Sequence, residues 1–254
     1  MRDNLNITAH SGCDCTPDDS LISIEAGIAF GADAAEVDIR LNKKGVLLLA
    51  HDEDPGREYQ GHEPLAKAFD IIADNGKIAV NCDIKETATI PAVLKLAAKK
   101  GIGPERLILT GSVTPLSLEE NPAIFKKSSV WINIEECLRH LCLTGNEKAK
   151  PFQDLIMNHT KADELLAVLA PHSAHLMEEV MAGCLHWGVK VVNMPCMEST
   201  AALIPRMKEQ GIEASVWTVN DEDALKRLFS LGVLSVTTRN TRLAAKIRKD
   251  FGQH

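Results

Sequence analysis

Residues 6–41 read NITAHSGCDCTPDDSLISIEAGIAFGADAAEVDIRL, and the fold follows from their pattern. A short β-prone run, Ile7-Thr8-Ala9, stops at His10 and passes into a polar, glycine-containing turn. Ser20 then stands as N-cap to the run LISIEAGIAF, and Gly31 stops it. An apolar strand-like run, AAEVDIRL, follows over 34–41. A strand, a helix and a second strand in that order must cross over, which makes the two strands parallel.

The same unit recurs along the chain. Strand-like runs lie at 77–84, 106–111, 129–135, 189–195, 213–219 and 233–238. Helix-like runs between them end on Gly101, Gly211 and Gly232, and NTRLAAKIRKDFG follows the last strand. Eight strands in βα order over 254 residues predict an α/β fold, a parallel (β/α)8 TIM barrel, as one domain over 1–254. An open doubly wound sheet is the alternative, but the chain has neither GxGxxG nor a P-loop. The run GVLLLAH (45–51) follows the turn NKKG. It reads as a hairpin partner of the second strand or as an extension carrying His51 to the rim. Residues 148–187 exceed one connection. They predict two helices outside the barrel, KPFQDLIMNH and ADELLAVLAPHSAHLMEEVMAGCLHWG, the second broken at Pro171.

Hydrophobic residues make up 45% and charged residues 25% of the chain, as in ordinary soluble proteins. A net charge of −7 argues against nucleic acid or an anionic membrane as partner. No apolar run approaches a membrane span, and MRDNLNITAH lacks a signal-peptide core, so a cytoplasmic location is expected. Seven cysteines without CxxC spacing read as reduced thiols; Cys13-Asp14-Cys15 has no partner motif for a zinc site.

Barrel enzymes carry their sites at the C-terminal strand ends. His10 ends the first strand, and Glu36 and Asp38 share one side of the second. His51-Asp52 ends the neighbouring run. Asn81, Asp83 and Lys85 alternate on the next strand, and Trp217 and Asn220 lie at the seventh. Adjacent carboxylates pointing into a barrel repel one another and lose solvent, so they need a cation. Glu36 and Asp38, with Asp83 completing the cluster, suit one divalent ion, Mg²⁺ or Ca²⁺. A salt-bridged structural cluster is the plainer alternative. His10 and His51 suit a general base and acid near neutral pH, against the plainer reading of two rim histidines held by backbone carbonyls. Lys85 has two readings, a solvated strand-end lysine or a partner of carboxylate or phosphoryl oxygen. Trp217 reads as barrel filling. His62, His140, His159, His172, His175, His186 and His254 read as structural or surface residues.

These motifs resemble the glycerophosphodiester phosphodiesterase family. The stretch AHSG…PDDSLISIEAGIAFGADAAEVDIRLNKKGVLLLAHD is similar to the family's N-terminal signature. VNCDIKE, GIEASVWTVND and LGVLSVTTRNT are similar to its third, seventh and closing strand motifs. The resemblance implies metal-dependent hydrolysis of a small glycerophosphodiester to glycerol phosphate and an alcohol. By position it makes Glu36, Asp38 and Asp83 the metal ligands and His10 and His51 the acid/base pair. Lys85 then lies near metal and phosphate, and Trp217 lines the pocket. Ser11 stands where the family has an arginine that would grip the phosphate, so the substrate contact expected there is altered. Arg40 and Arg239 are candidates to supply that charge. The segment between His51 and the third strand is short, and Thr238-Arg239 stands where an aspartate is usual. Two other readings remain: a barrel that binds a phosphorylated ligand with little turnover, and a metal-dependent lyase or aldolase, against which the two histidines argue. The oligomeric state is not legible.

Overall fold

The computed structural model describes residues 6–159, 161–169 and 173–251. Its strands are β1 (Asn6–Ala9), β2 (Ala34–Leu41), β3 (Leu47–Leu49), β4 (Ala79–Ile84), β5 (Leu107–Gly111), β6 (Ser129–Asn133), β7 (Val191–Pro195), β8 (Glu213–Trp217) and β9 (Ser235–Thr238). The helices are α1 (Leu21–Ala29), α2 (Leu65–Asn75), α3 (Ile90–Lys99), α4 (Pro115–Glu120), α5 (Ile134–Leu143), α6 (Gln153–Asn158), α7 (Ala162–Leu169), α8 (Ser173–Trp187), α9 (Glu198–Glu209), α10 (Glu222–Leu231) and α11 (Thr241–Phe251).

All strands but β3 pair in parallel, in the order β1-β9-β8-β7-β6-β5-β4-β2. Pairing of β1 with β2 closes the ring, so the sheet is a (β/α)8 barrel and not an open doubly wound sheet. β3 is the hairpin partner, antiparallel to β2 with Ile39 opposite Leu49. Ser20 caps α1 by accepting a hydrogen bond from the Ser23 N–H, a cap that contributes about 1 kcal/mol.

Three elements depart from the sequence reading. The run at 129–135 stops being a strand at Asn133, and α5 begins at Ile134. Glu135 and Glu136 fall in its first turn, where the helix N-terminus favours negative charge. Ile134, Cys137, Leu138, Leu141 and Cys142 form its buried stripe. The connection from β5 to β6 also carries a helix, α4, started by Thr114 as N-cap and Pro115. The 148–187 region holds three helices, α6 to α8, and Pro171 lies outside the described residues.

Alternation sorts each barrel strand into two faces. On β2, Ala35, Val37 and Ile39 join the large core beneath the helices. Ala34, Ile108 and Trp131 form a separate apolar plug. Two positions further along their strands stand Glu36, Thr110 and Asn133, all buried. Asn81, Asn193, Ser215 and Thr237 repeat this step on other strands, so a polar layer lies above the plug. A barrel interior is ordinarily filled by branched apolar side chains. Polar filling toward the C-terminal strand ends marks that end as the place for chemistry.

Candidate active site

Register assembles the carboxylates. β2 and β4 pair with Glu36 opposite Asn81 and Asp38 opposite Asp83, so three acids meet across two adjacent strands. Oxygens of Glu36, Asp38 and Asp83 all lie within 4.8 Å of one another. Glu36 and Asp38 are buried, and Asp83 is partly so. Burial, then the Asp38 and Asp83 charges, pushes Glu36 well above the ordinary carboxylate range. The Ser11 backbone N–H donates to Glu36 Oε2 at 2.9 Å.

Gly111 makes room for this cluster. Its φ is +74°, and a Cβ there would overlap Asp83 Oδ1 and the Ile84 carbonyl. Gly111→Ala is expected to cost at least about 1 kcal/mol in backbone strain and to displace Asp83. A thermal-shift titration with divalent ions checks this: an unchanged metal response would show that Asp83 does not depend on the glycine.

Lys85 Nζ lies 2.6 Å from Asp38 Oδ1 and 2.8 Å from Asp83 Oδ2. Burial works against its charge, but Asp83 and Asp38 more than offset that and hold the ammonium protonated above its usual range. Three negative charges then face one positive charge. The balance of two, on an all-oxygen donor set, fits a hard divalent cation.

His10 Nδ1 is 2.7 Å from the Ser11 carbonyl and 3.7 Å from Glu36 Oε2. A carbonyl only accepts, so Nδ1 carries the proton and Nε2 is the basic nitrogen of the neutral ring. Burial lowers the His10 pKa, against the Ser11 bond that raises it. His51 Nδ1 lies 2.8 Å from Asp52 Oδ1, which likewise assigns its proton to Nδ1. Its side chain is 64% exposed, so it stands at the rim. Both rings line a cavity of about 310 Å³ together with Glu36, Asp38, Asp83 and Lys85. A larger cavity, about 690 Å³, opens among Asn6, Lys77, Arg106 and Lys190 at the opposite, N-terminal strand ends and contains no such constellation.

Trp217 also lines the site cavity, and its buried indole N–H has no hydrogen-bond partner. Ser11 does not line it. The Ser11 hydroxyl instead accepts from the Asp19 N–H at 2.7 Å, and Asp19 Oδ2 accepts from the His51 N–H at 3.0 Å. Ser11 and Asp19 thus tie the first strand end to the loop carrying His51. Arg239 is paired with Asp18 at 2.6 Å, and Arg40 donates to the His51 carbonyl at 3.0 Å. Asn220 accepts from the Arg239 N–H at 2.8 Å, a contact between strand ends. His172 and His254 lie outside the described residues.

The cavity wall contains residues that the sequence reading did not single out: Thr110, Asn133, Glu135, Glu136, Arg139 and Asn193. For Thr110, Asn133 and Asn193 the signal was a lone polar residue toward the end of an apolar strand, as in WIN and VVN; Glu135, Glu136 and Arg139 lie on α5. Asn193 Nδ2 donates to Asn133 Oδ1 at 2.9 Å, and Asn133 Nδ2 donates to Glu135 Oε1 at 2.9 Å. Burial pushes Glu135 up to about 7, against hydrogen bonds from its own backbone N–H and from Asn133.

No family model matches the chain. It is 23% identical over 244 residues to a Bacillus altitudinis glycerophosphodiester phosphodiesterase, covering 92% of this chain and 94% of that protein. The chain is thus similar to a glycerophosphodiester phosphodiesterase over nearly its whole length. Solved structures share its fold. A glycerophosphoryl diester phosphodiesterase, so described provisionally, from Agrobacterium tumefaciens superposes with a TM-score of 0.72 at 14% identity, covering 98% of this chain and 99% of that one. An Oleispira antarctica phosphodiesterase, solved with its product sn-glycerol-3-phosphate, gives 0.65 at 16% identity, covering 97% and 96%. This likeness and the closed barrel agree with the resemblance drawn from the motifs. No helix among the described residues is long and apolar enough to cross a membrane.

Proposed function

We propose that the protein is a phosphoric diester hydrolase that cleaves a glycerophosphodiester, or a related small phosphodiester, to a phosphomonoester and an alcohol. One observation carries the reading: two histidines with their Nε2 atoms uncommitted line the same cavity as three clustered carboxylates. Glu36, Asp38 and Asp83 would hold one divalent ion, Mg²⁺ or Ca²⁺. Such an ion supplies neutralisation of phosphoryl charge and a more acidic oxygen nucleophile.

The chain's own residues handle the protons and the orientation. His10 Nε2 takes the proton of the attacking hydroxyl, either the substrate's glycerol 2-OH or water. His51, in its imidazolium form with Nδ1–H held by Asp52, gives its Nε2 proton to the leaving alkoxide oxygen as the P–O bond breaks. Lys85 holds Asp38 and Asp83 in place and adds positive charge beside the phosphoryl oxygens. The unpaired Trp217 N–H is a ready donor to a substrate oxygen. Ser11 serves the site through Asp19 and the His51 loop. The whole chain acts as one barrel domain on a small soluble substrate, and its net charge of −7 favours neither nucleic acid nor an anionic surface. Seven free cysteines suit a reducing, cytoplasmic setting.

The test is direct. Glycerophosphocholine, glycerophosphoethanolamine and an aryl phosphodiester are incubated with Mg²⁺, Ca²⁺ or Mn²⁺ and with chelator. Metal-dependent release of glycerol phosphate or aryl alcohol is expected. If no diester is cleaved with any ion, the hydrolase reading fails.

A further inference from the structure

We infer that Glu135 and Asn193 form a subsite for the ammonium of a primary-amine head group, on the cavity wall facing the carboxylate cluster. The inference rests on the hydrolase reading for the rest of the substrate. Around the ring the order is β1-β2-β4-β5-β6-β7-β8-β9, so β6 faces β1 and β7 faces β2. β1 leads into His10, and β2 carries Glu36 and Asp38. Asn133 ends β6, Glu135 opens the helix after it, and Asn193 lies on β7. A diester whose phosphoryl group sits at the carboxylates and His10 therefore extends toward Glu135 and Asn193.

The polarity of the hydrogen bonds shows what this wall lacks. In the ionised form that a bound ammonium would hold, Glu135 only accepts, so Oε1 takes the Asn133 amide as its donor. Asn133 Oδ1 must then accept from Asn193 Nδ2, which leaves Asn193 Oδ1 free. Both ends of the relay are oxygen acceptors, and both are bare. Glu135 Oε2 and Asn193 Oδ1 are buried without a hydrogen-bond partner. The side chains belong to residues only 8% and 6% exposed. A buried acceptor left without a donor is costly, so this wall is shaped for donors that arrive with a ligand.

The charge narrows the ligand. The lysine and arginine that line the cavity are both committed elsewhere. Lys85 bridges Asp38 and Asp83, and Arg139 pairs with Glu136 at 2.6 Å and donates to the His159 carbonyl at 3.2 Å. A primary ammonium brings three N–H donors and the positive charge that a buried carboxylate needs. A trimethylammonium brings the charge without donors. A hydroxyl brings a donor without the charge.

The experiment compares kcat/KM for glycerophosphoethanolamine, glycerophosphocholine and an aryl phosphodiester in wild type, Glu135→Gln and Asn193→Ala. A charge-assisted hydrogen bond predicts that the wild type favours the ethanolamine ester. In Glu135→Gln the ethanolamine-to-choline ratio is expected to fall about tenfold to a hundredfold. Asn193→Ala is expected to lower the same ratio, which guards against a folding defect in one variant. An unchanged ratio in both variants overturns the subsite. An equal fall for the two glycerol esters, relative to the aryl diester, also overturns it and puts glycerol hydroxyls on this wall. Calorimetric binding of phosphoethanolamine and phosphocholine separates the two readings. If wild type cleaves no diester, the hydrolase reading fails. The subsite then stands only if phosphoethanolamine binds more tightly than phosphocholine and Glu135→Gln removes the difference.

Discussion

His10→Ala is expected to slow cleavage of a glycerophosphodiester by about 10²–10⁴-fold. The ring's Nδ1 is committed to the Ser11 carbonyl, so Nε2 is the atom that handles a proton. Alanine removes that base and one local hydrogen bond, so the melting temperature should fall by no more than a few degrees. His51→Ala should slow the same substrate comparably, but the two variants part on an aryl diester. A phenolate leaves without needing much proton donation, so loss of the acid at His51 is largely bypassed. Loss of the base at His10 is not. Equal rates for His10→Ala and wild type would end the base assignment. An equal penalty for His51→Ala on alkyl and aryl esters would end the acid assignment.

The elements that the sequence shows best are those written in local chemistry. Gly101, Gly211 and Gly232 all adopt positive φ, so helix stops read from glycine fall where chain reversal needs it. The closed parallel ring follows from strand–helix alternation. α5 was hidden because WINIE keeps strand alternation up to the residue where the helix begins, with neither serine nor glycine to mark the switch. The carboxylates were legible because acids at alternating positions of an apolar strand demand an explanation. Asn133 and Asn193 were not, since one polar residue at a strand end is common. Their importance comes from ring closure, which sets β6 and β7 across from β1 and β2. The Ser11 position was conspicuous, but its work is tertiary. Asp19 receives it, and no pattern within the first strand identifies that partner.

Glu36→Gln is expected to move the metal-free and metal-loaded proteins in opposite directions. Without an ion, Glu36 faces Asp38 and Asp83 at short range, out of water, with one lysine among three acids. That arrangement opposes folding, and glutamine removes one of the opposing charges. Its amide oxygen still accepts the Ser11 N–H that Glu36 accepts now. The metal-free variant should therefore melt higher than metal-free wild type, by about 2–4 °C for each kcal/mol relieved. With a divalent ion at a hundred times its Kd, wild type should gain about 2.7 kcal/mol, or about 5–10 °C. The variant should lose most of that gain, because a neutral amide is a far poorer partner for a hard cation. Turnover should fall with it. A purely structural role for the cluster predicts otherwise: glutamine would leave the response to divalent ions unchanged, since there would be none to lose. Melting curves for both proteins, with chelator and across a Mg²⁺ or Ca²⁺ titration, separate the two.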